Sequence, residues 1–155
     1  MKKTLSGLII VLMLSAACVF AAEIADVDRV SVLMPKAKVL SILGAPDETL
    51  PLAKGLKVDV YHMRAALPLL HAGCIYNSEG VLMGQSLVFQ GHTAGDIVDR
   101  LKHHGFVPLS SQAGSLRFSG FDDDTGHPLV AVIAEGDALT TITTFEKAFY
   151  ETHVK

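Results

Sequence analysis

The stretch 34-MPKAKVLSILGAPDE-48 decides how the rest of the chain is read. Val39, Leu40 and Leu43 recur at i, i+1 and i+4 with Ile42 beside them, so a helix beginning near Pro35 has one apolar side, while Lys36, Lys38 and Ser41 face water. Two residues stop it. Gly44 suits the left-handed position that closes a helix, and Pro46 drives Ala45 out of the helical region and cannot itself continue the ladder. Leu56, Val58 and Val60 then alternate with Lys57 and Asp59 up to Tyr61, the period-2 pattern of a strand with one wet face.

Between these elements, Pro51 and Gly55 mark a loop, with Leu50 and Leu52 as a short edge piece. After Tyr61, the apolar residues Ala65, Ala66, Leu67, Leu69 and Leu70 surround Pro68, which forbids a central strand or a helix interior. Residues 62–70 are therefore expected to form a long hairpin connection with an exposed apolar tip. Exposed apolar patches are uncommon on monomers, so Leu67, Pro68, Leu69, Leu70 and Tyr61 become the candidate protein-binding residues. Residues 74–77, the turn Ser78-Glu79-Gly80 and residues 81–89 read as a β-hairpin, with Gly80 supplying a positive φ.

The pattern then restarts. Thr93 is a candidate N-cap for a helix carrying Ile97, Val98 and Leu101, with Asp96 in its first turn, Lys102, His103 and His104 in its last, and Gly105 as its stop. Residues 106–109, 115–121, 128–134 and 138–145 read as strands, with turns at 122–126 and 135–137. Val39 and Leu43 answer to Ile97 and Leu101, and Glu79-Gly80 and Phe89 to Glu135-Gly136 and Phe145. The reading is of a duplication, about 31–90 and 91–147, within one α+β domain spanning 23–155. Two tandem helix-plus-antiparallel-meander units are expected, their helices packed on one face of antiparallel sheet.

Met34 to Lys36, Val39, Leu43, Gly44, Pro46, Asp47, Tyr61 and the run from Tyr76 to Leu82 together resemble the SmpA/OmlA family, the BamE-like outer-membrane assembly lipoproteins. In that family a methionine-led turn, a helix ending Leu-Gly-x-Pro and a Tyr-bearing strand recur in this order. Leu33 stands where the family usually carries Gly before the Met. The resemblance covers roughly residues 30–90 and implies a fold like that of the β-lactamase inhibitor protein, together with a docking role in the cell envelope.

The first 22 residues fit an export signal. Lys2 and Lys3 form a charged start, an apolar run follows from Leu5 to Ala17, and Val19-Phe20-Ala21 offers a small-x-small cleavage site. The expected location is periplasmic or secreted. Leu14-Ser15-Ala16-Ala17-Cys18 resembles a lipobox with its Leu one place too far from Cys18. Lipidation of Cys18, giving an outer-membrane lipoprotein, is the alternative. Losing Lys2 and Lys3 takes the formal charge from −3 to −5. With no basic stripe, nucleic acid is not an expected partner, and a membrane would be met only through a lipid anchor.

Catalytic and metal motifs are missing from the linear pattern. The seven histidines show no His-x-x-x-His pair, and Cys74 stands alone in the mature chain. Asp122-Asp123-Asp124-Thr125-Gly126 opens like a calcium loop, but Ile133 falls where that loop needs a bidentate Glu. Ser86, Ser110 and Ser111 lack a Gly-x-Ser-x-Gly setting, and His71 sits three places from Cys74 on an expected strand, which sends the two side chains to opposite faces. Composition thus favours a non-enzymatic envelope protein, with no cofactor, that binds another protein in outer-membrane assembly or maintenance. The alternative is a small periplasmic metal-handling protein or hydrolase using Cys74, His62 and His71.

Overall fold

The computed structural model describes residues 22–63, 67–111 and 114–155; residues 1–21 of the expected export signal, with Cys18, and Ala65 and Ala66 of the expected apolar tip lie outside the described residues. The chain runs α1 (Ile24–Val27), α2 (Lys36–Leu43), β1 (Glu48–Pro51), β2 (Lys57–His62), β3 (Leu69–Tyr76), β4 (Leu82–Gln90), α3 (Ala94–His103), β5 (Val107–Pro108), β6 (Leu116–Phe121), β7 (Pro128–Glu135), β8 (Leu139–Glu146) and α4 (Lys147–Phe149), which continues as a π-helical turn over Tyr150–Val154. All eight strands form one antiparallel sheet in the order β1-β2-β3-β4-β8-β7-β6-β5. Its edges are the four-residue β1, ending on Pro51, and the two-residue β5, ending on Pro108.

Each strand sends alternate side chains to opposite faces. On one face, Tyr61, Ala72, Cys74, Tyr76 and Leu82 meet Val39 and Leu43 of α2 and Val27 of α1. Further along that face, Phe118, Leu129, Ala131 and Ile133 meet Ala94 of α3, with Ile97, Val98 and Leu101 packed against them. The other face is closed at one end by Phe149 and Tyr150, which pack with Ile75, Val130 and Phe145.

This arrangement corrects the expectation of two tandem helix-plus-meander units with their helices on one face. The strands belong to a single sheet because β4 pairs with β8 over seven residue positions, from Gly84↔Phe145 to Gln90↔Leu139. The helices are short, and the last helical segment lies on the face opposite α2 and α3.

Local chemistry explains the joints. The α2 helix stops at Gly44, whose φ is 79° and whose N–H donates to the Leu40 carbonyl at 2.9 Å. Ahead of α2, Leu33 N–H donates to Leu82 O, Leu82 N–H to Met34 O and Lys36 N–H to Gly80 O, all within 2.9 Å, strapping the helix start to the β3–β4 turn. The strap holds Leu33 at φ 71°, a left-handed conformation that costs a residue with a Cβ about 1–2 kcal/mol. Thr93 occupies the N-cap position of α3, but its hydroxyl makes no capping bond; instead its N–H donates to buried Thr140 Oγ1, which donates in turn to Gly91 O. Gly84 has no side chain for a physical reason, since a Cβ there would stand 2.7 Å from the Phe145 ring that covers it.

Val39 is fully buried and Leu43 is 2% exposed, so Leu43→Ala should lower unfolding stability by about 2–5 kcal/mol in urea titrations. Unchanged denaturation would mean that the α2 face is not the one packed on the sheet.

Candidate functional site

The β2–β3 hairpin carries the residues that the sequence singles out, and its register sorts them. Met63 N–H donates to Leu70 O at 2.8 Å, closing the ladder, and Gln90 N–H donates to Pro68 O at 2.8 Å, tying the turn to the end of β4. Leu67 is 71% exposed and Pro68 is exposed, whereas Leu69 is 3% and Tyr61 2% exposed. Leu70 is half-buried. Among the described residues, the expected tip is therefore Leu67 and Pro68 at the surface, followed at once by a core strand. Pro68 ends a turn and leaves β3 free to begin at Leu69, which pairs with Phe89. Leu139, also exposed, lies opposite Gln90, so the same end of the sheet presents a second leucine.

Beneath α2 lies a buried polar cluster. Asp59 is 1% exposed, and its carboxylate meets Lys36 Nζ at 2.6 Å and accepts from Thr49 Oγ1 at 2.7 Å. The same ammonium lies 4.8 Å from the Tyr76 ring centroid, a cation–π placement. The pair forms part of the wall of a cleft of about 870 Å³, to which Lys54, Lys57 and Phe149 also contribute. Polar groups here serve the fold: Lys54 Nζ donates to His153 O at 2.8 Å, and Glu146 accepts from Ala148 and Phe149 N–H groups, capping α4.

Cys74 lies next to this cluster on the helix-covered face. Burial pushes its thiol from 9.0 up to about 12, with the Asp59 charge adding to the effect and a Tyr76 hydrogen bond and Lys36 opposing it. Burial also raises the Tyr61 and Tyr76 hydroxyls, and the Tyr76 hydroxyl, without a hydrogen-bonding oxygen or nitrogen partner among the described residues, has the weakly polar thiol beside it. A neutral, covered thiol is a poor nucleophile. His71 projects from β3 to the other face, where it stands opposite His62. The structure thus separates Cys74 from both histidines and brings His62 and His71 together, their ring centroids 4.9 Å apart. The other histidines are scattered: His92 pairs with Glu135, His104 with Asp123, and His153 stacks on Phe149.

The sequence reading missed two things here. The alternation of β2 pointed the wrong way: Asp59, expected on the wet face, is 1% exposed on the helix-covered side with Tyr61, while Val58 and Val60 are only half-buried on the other, so the Lys36–Asp59 pair had no local signal. The His62–His71 pair could have been found by folding the hairpin about its turn, since the two positions lie nearly symmetrically about residues 66–67. Comparison with protein families, curated proteins and solved structures returned no match.

Because Cys74 titrates higher folded than unfolded, the protein keeps this contribution to stability below about pH 9 and loses it as pH rises toward 12; the raised tyrosines act in the same direction. Melting temperature should therefore fall over that window, and Cys74 should react with a thiol reagent at neutral pH only once denaturant is added. Rapid labelling of the native protein would show that the thiol is accessible. Replacing Lys36 by Met should cost about 3 kcal/mol by stranding a buried carboxylate, and adding Asp59→Leu should recover part of that loss.

Proposed function

We propose that this chain is a non-enzymatic cell-envelope protein that binds another protein, in outer-membrane assembly or maintenance, through the end of its sheet at Leu67 and Pro68. The observation that carries the reading is the 71% exposure of Leu67 on a turn whose flanking residues, Met63 and Leu69, are anchored in the core. A large apolar side chain held out on a fixed turn is the kind of anchor that central interface positions use. The export-like N-terminus and the resemblance of residues 30–90 to SmpA/OmlA lipoproteins support an envelope location. The buried state of Cys74 and its separation from His62 and His71 weigh against a cysteine hydrolase.

Leu67→Asp should leave the circular-dichroism melt unchanged and abolish crosslinked capture of a partner from envelope fractions. Leu69→Asp should instead lower or remove the melt, because it places a carboxylate among core side chains. Retained capture by folded Leu67→Asp protein would remove this surface from the reading.

A further inference from the structure

On the face of β2 and β3 turned away from α2, His62 and His71 stand directly across from each other. The neighbouring position, Met63 with Leu70, carries a ladder hydrogen bond. His62 and His71 therefore occupy a non-hydrogen-bonded pair, the position at which facing side chains come closest, with Cα atoms about 4.5 Å apart. Their rings are tilted by 66° and their centroids lie 4.9 Å apart. Two imidazoles sharing one tetrahedral ion at metal–nitrogen distances of about 2.0 Å would have centroids roughly 5 Å apart. The rings are spaced as such a ligand pair requires.

Two further observations point to a cation. Nδ1 of His71 is buried and has no hydrogen-bond partner among the described residues, which is costly for an imidazole nitrogen unless something else meets it. On β1, the Glu48 carboxylate lies 3.3 Å from His62 Nε2 and supplies negative charge at the edge of the pair. Among the described residues no three His, Cys, Asp or Glu side chains are grouped as a ready-made metal site, so the protein would furnish two ligands and water the rest.

We propose that His62 and His71 form a two-imidazole site for a divalent transition-metal cation of the kind that prefers nitrogen ligands, zinc being the test case. The site bridges the two strands of the hairpin that carries Leu67, so a bound ion staples the turn end of that hairpin. It stands independently of partner capture: either can fail while the other holds.

Calorimetric titration of zinc chloride into the purified protein, without a histidine tag, tests it. One ion per chain is expected, reversed by a chelator. His62→Ala and His71→Ala should each weaken uptake by about tenfold or more, and His92→Ala and His127→Ala should leave it unchanged. Absence of uptake by the native protein, or native-level uptake by the His62→Ala/His71→Ala double variant, overturns the site. Should those variants melt early, the native protein still decides. One equivalent of zinc should shift the ring proton resonances of His62 and His71, and shifts confined to other histidines would overturn the proposal.

Discussion

Strand β4 pairs with β8, and nearly everything else in the molecule leans on that contact. Residues 84–90 and 139–145 come from distant parts of the chain, so their pairing closes a long loop and carries a corresponding entropic cost. The contact is built to offset it on both faces. Leu87 and Ile142 face the helices, Gly84 makes room for the Phe145 ring on the opposite face, and the Ser86 and Thr143 hydroxyls bond at 3.0 Å between them. A slip of one residue would exchange the faces, moving Phe145 away from Phe149 and Tyr150 and Ile142 away from the helices.

The central position of β3 has a related effect. A strand flanked on both sides and covered on both faces, as β3 is from Ala72 to Tyr76, reads as a nearly continuous apolar run instead of a clean alternation. That is why residues 69–72 were hard to place from sequence: Leu69, Leu70 and Ala72 follow a proline and look like a loop tip, yet pairing with β4 makes them strand. The α2 helix, its stop at Gly44, the existence of β2 and the turn before Leu82 were legible because each depends on a few adjacent residues; which face of β2 is covered was not, since Asp59 and Tyr61 are buried and Val58 and Val60 only half-buried. The C-terminal helical segment was not legible either, because no Gly or Pro separates it from β8; its only local sign is Glu146, whose carboxylate caps the turn that follows.

The candidate sites divide on the same principle. Apolar residues near Pro68 drew attention in the sequence, but which of them reach solvent is decided by pairing, and Leu67 differs from Leu69 only in lying on one side of the first ladder position of β3. The histidine pair is a product of register alone. So is the burial of Asp59, whose charge is tolerated because Lys36, the first residue of α2, reaches across to it. One buried carboxylate thereby fixes how the helix sits on the sheet, which no local pattern could state.

The two edges of the sheet bear on how this protein lives among others. An open antiparallel sheet offers unpaired backbone groups that can recruit strands from neighbouring molecules. Here β1 is short and ends on Pro51, and β5 is two residues long and ends on Pro108; neither proline has an N–H to offer an incoming strand. The outermost backbone is thus a poor template for cross-β growth. The chain can therefore hold an apolar side chain such as Leu67 out on a turn without inviting indiscriminate polymerisation along the margins of its sheet.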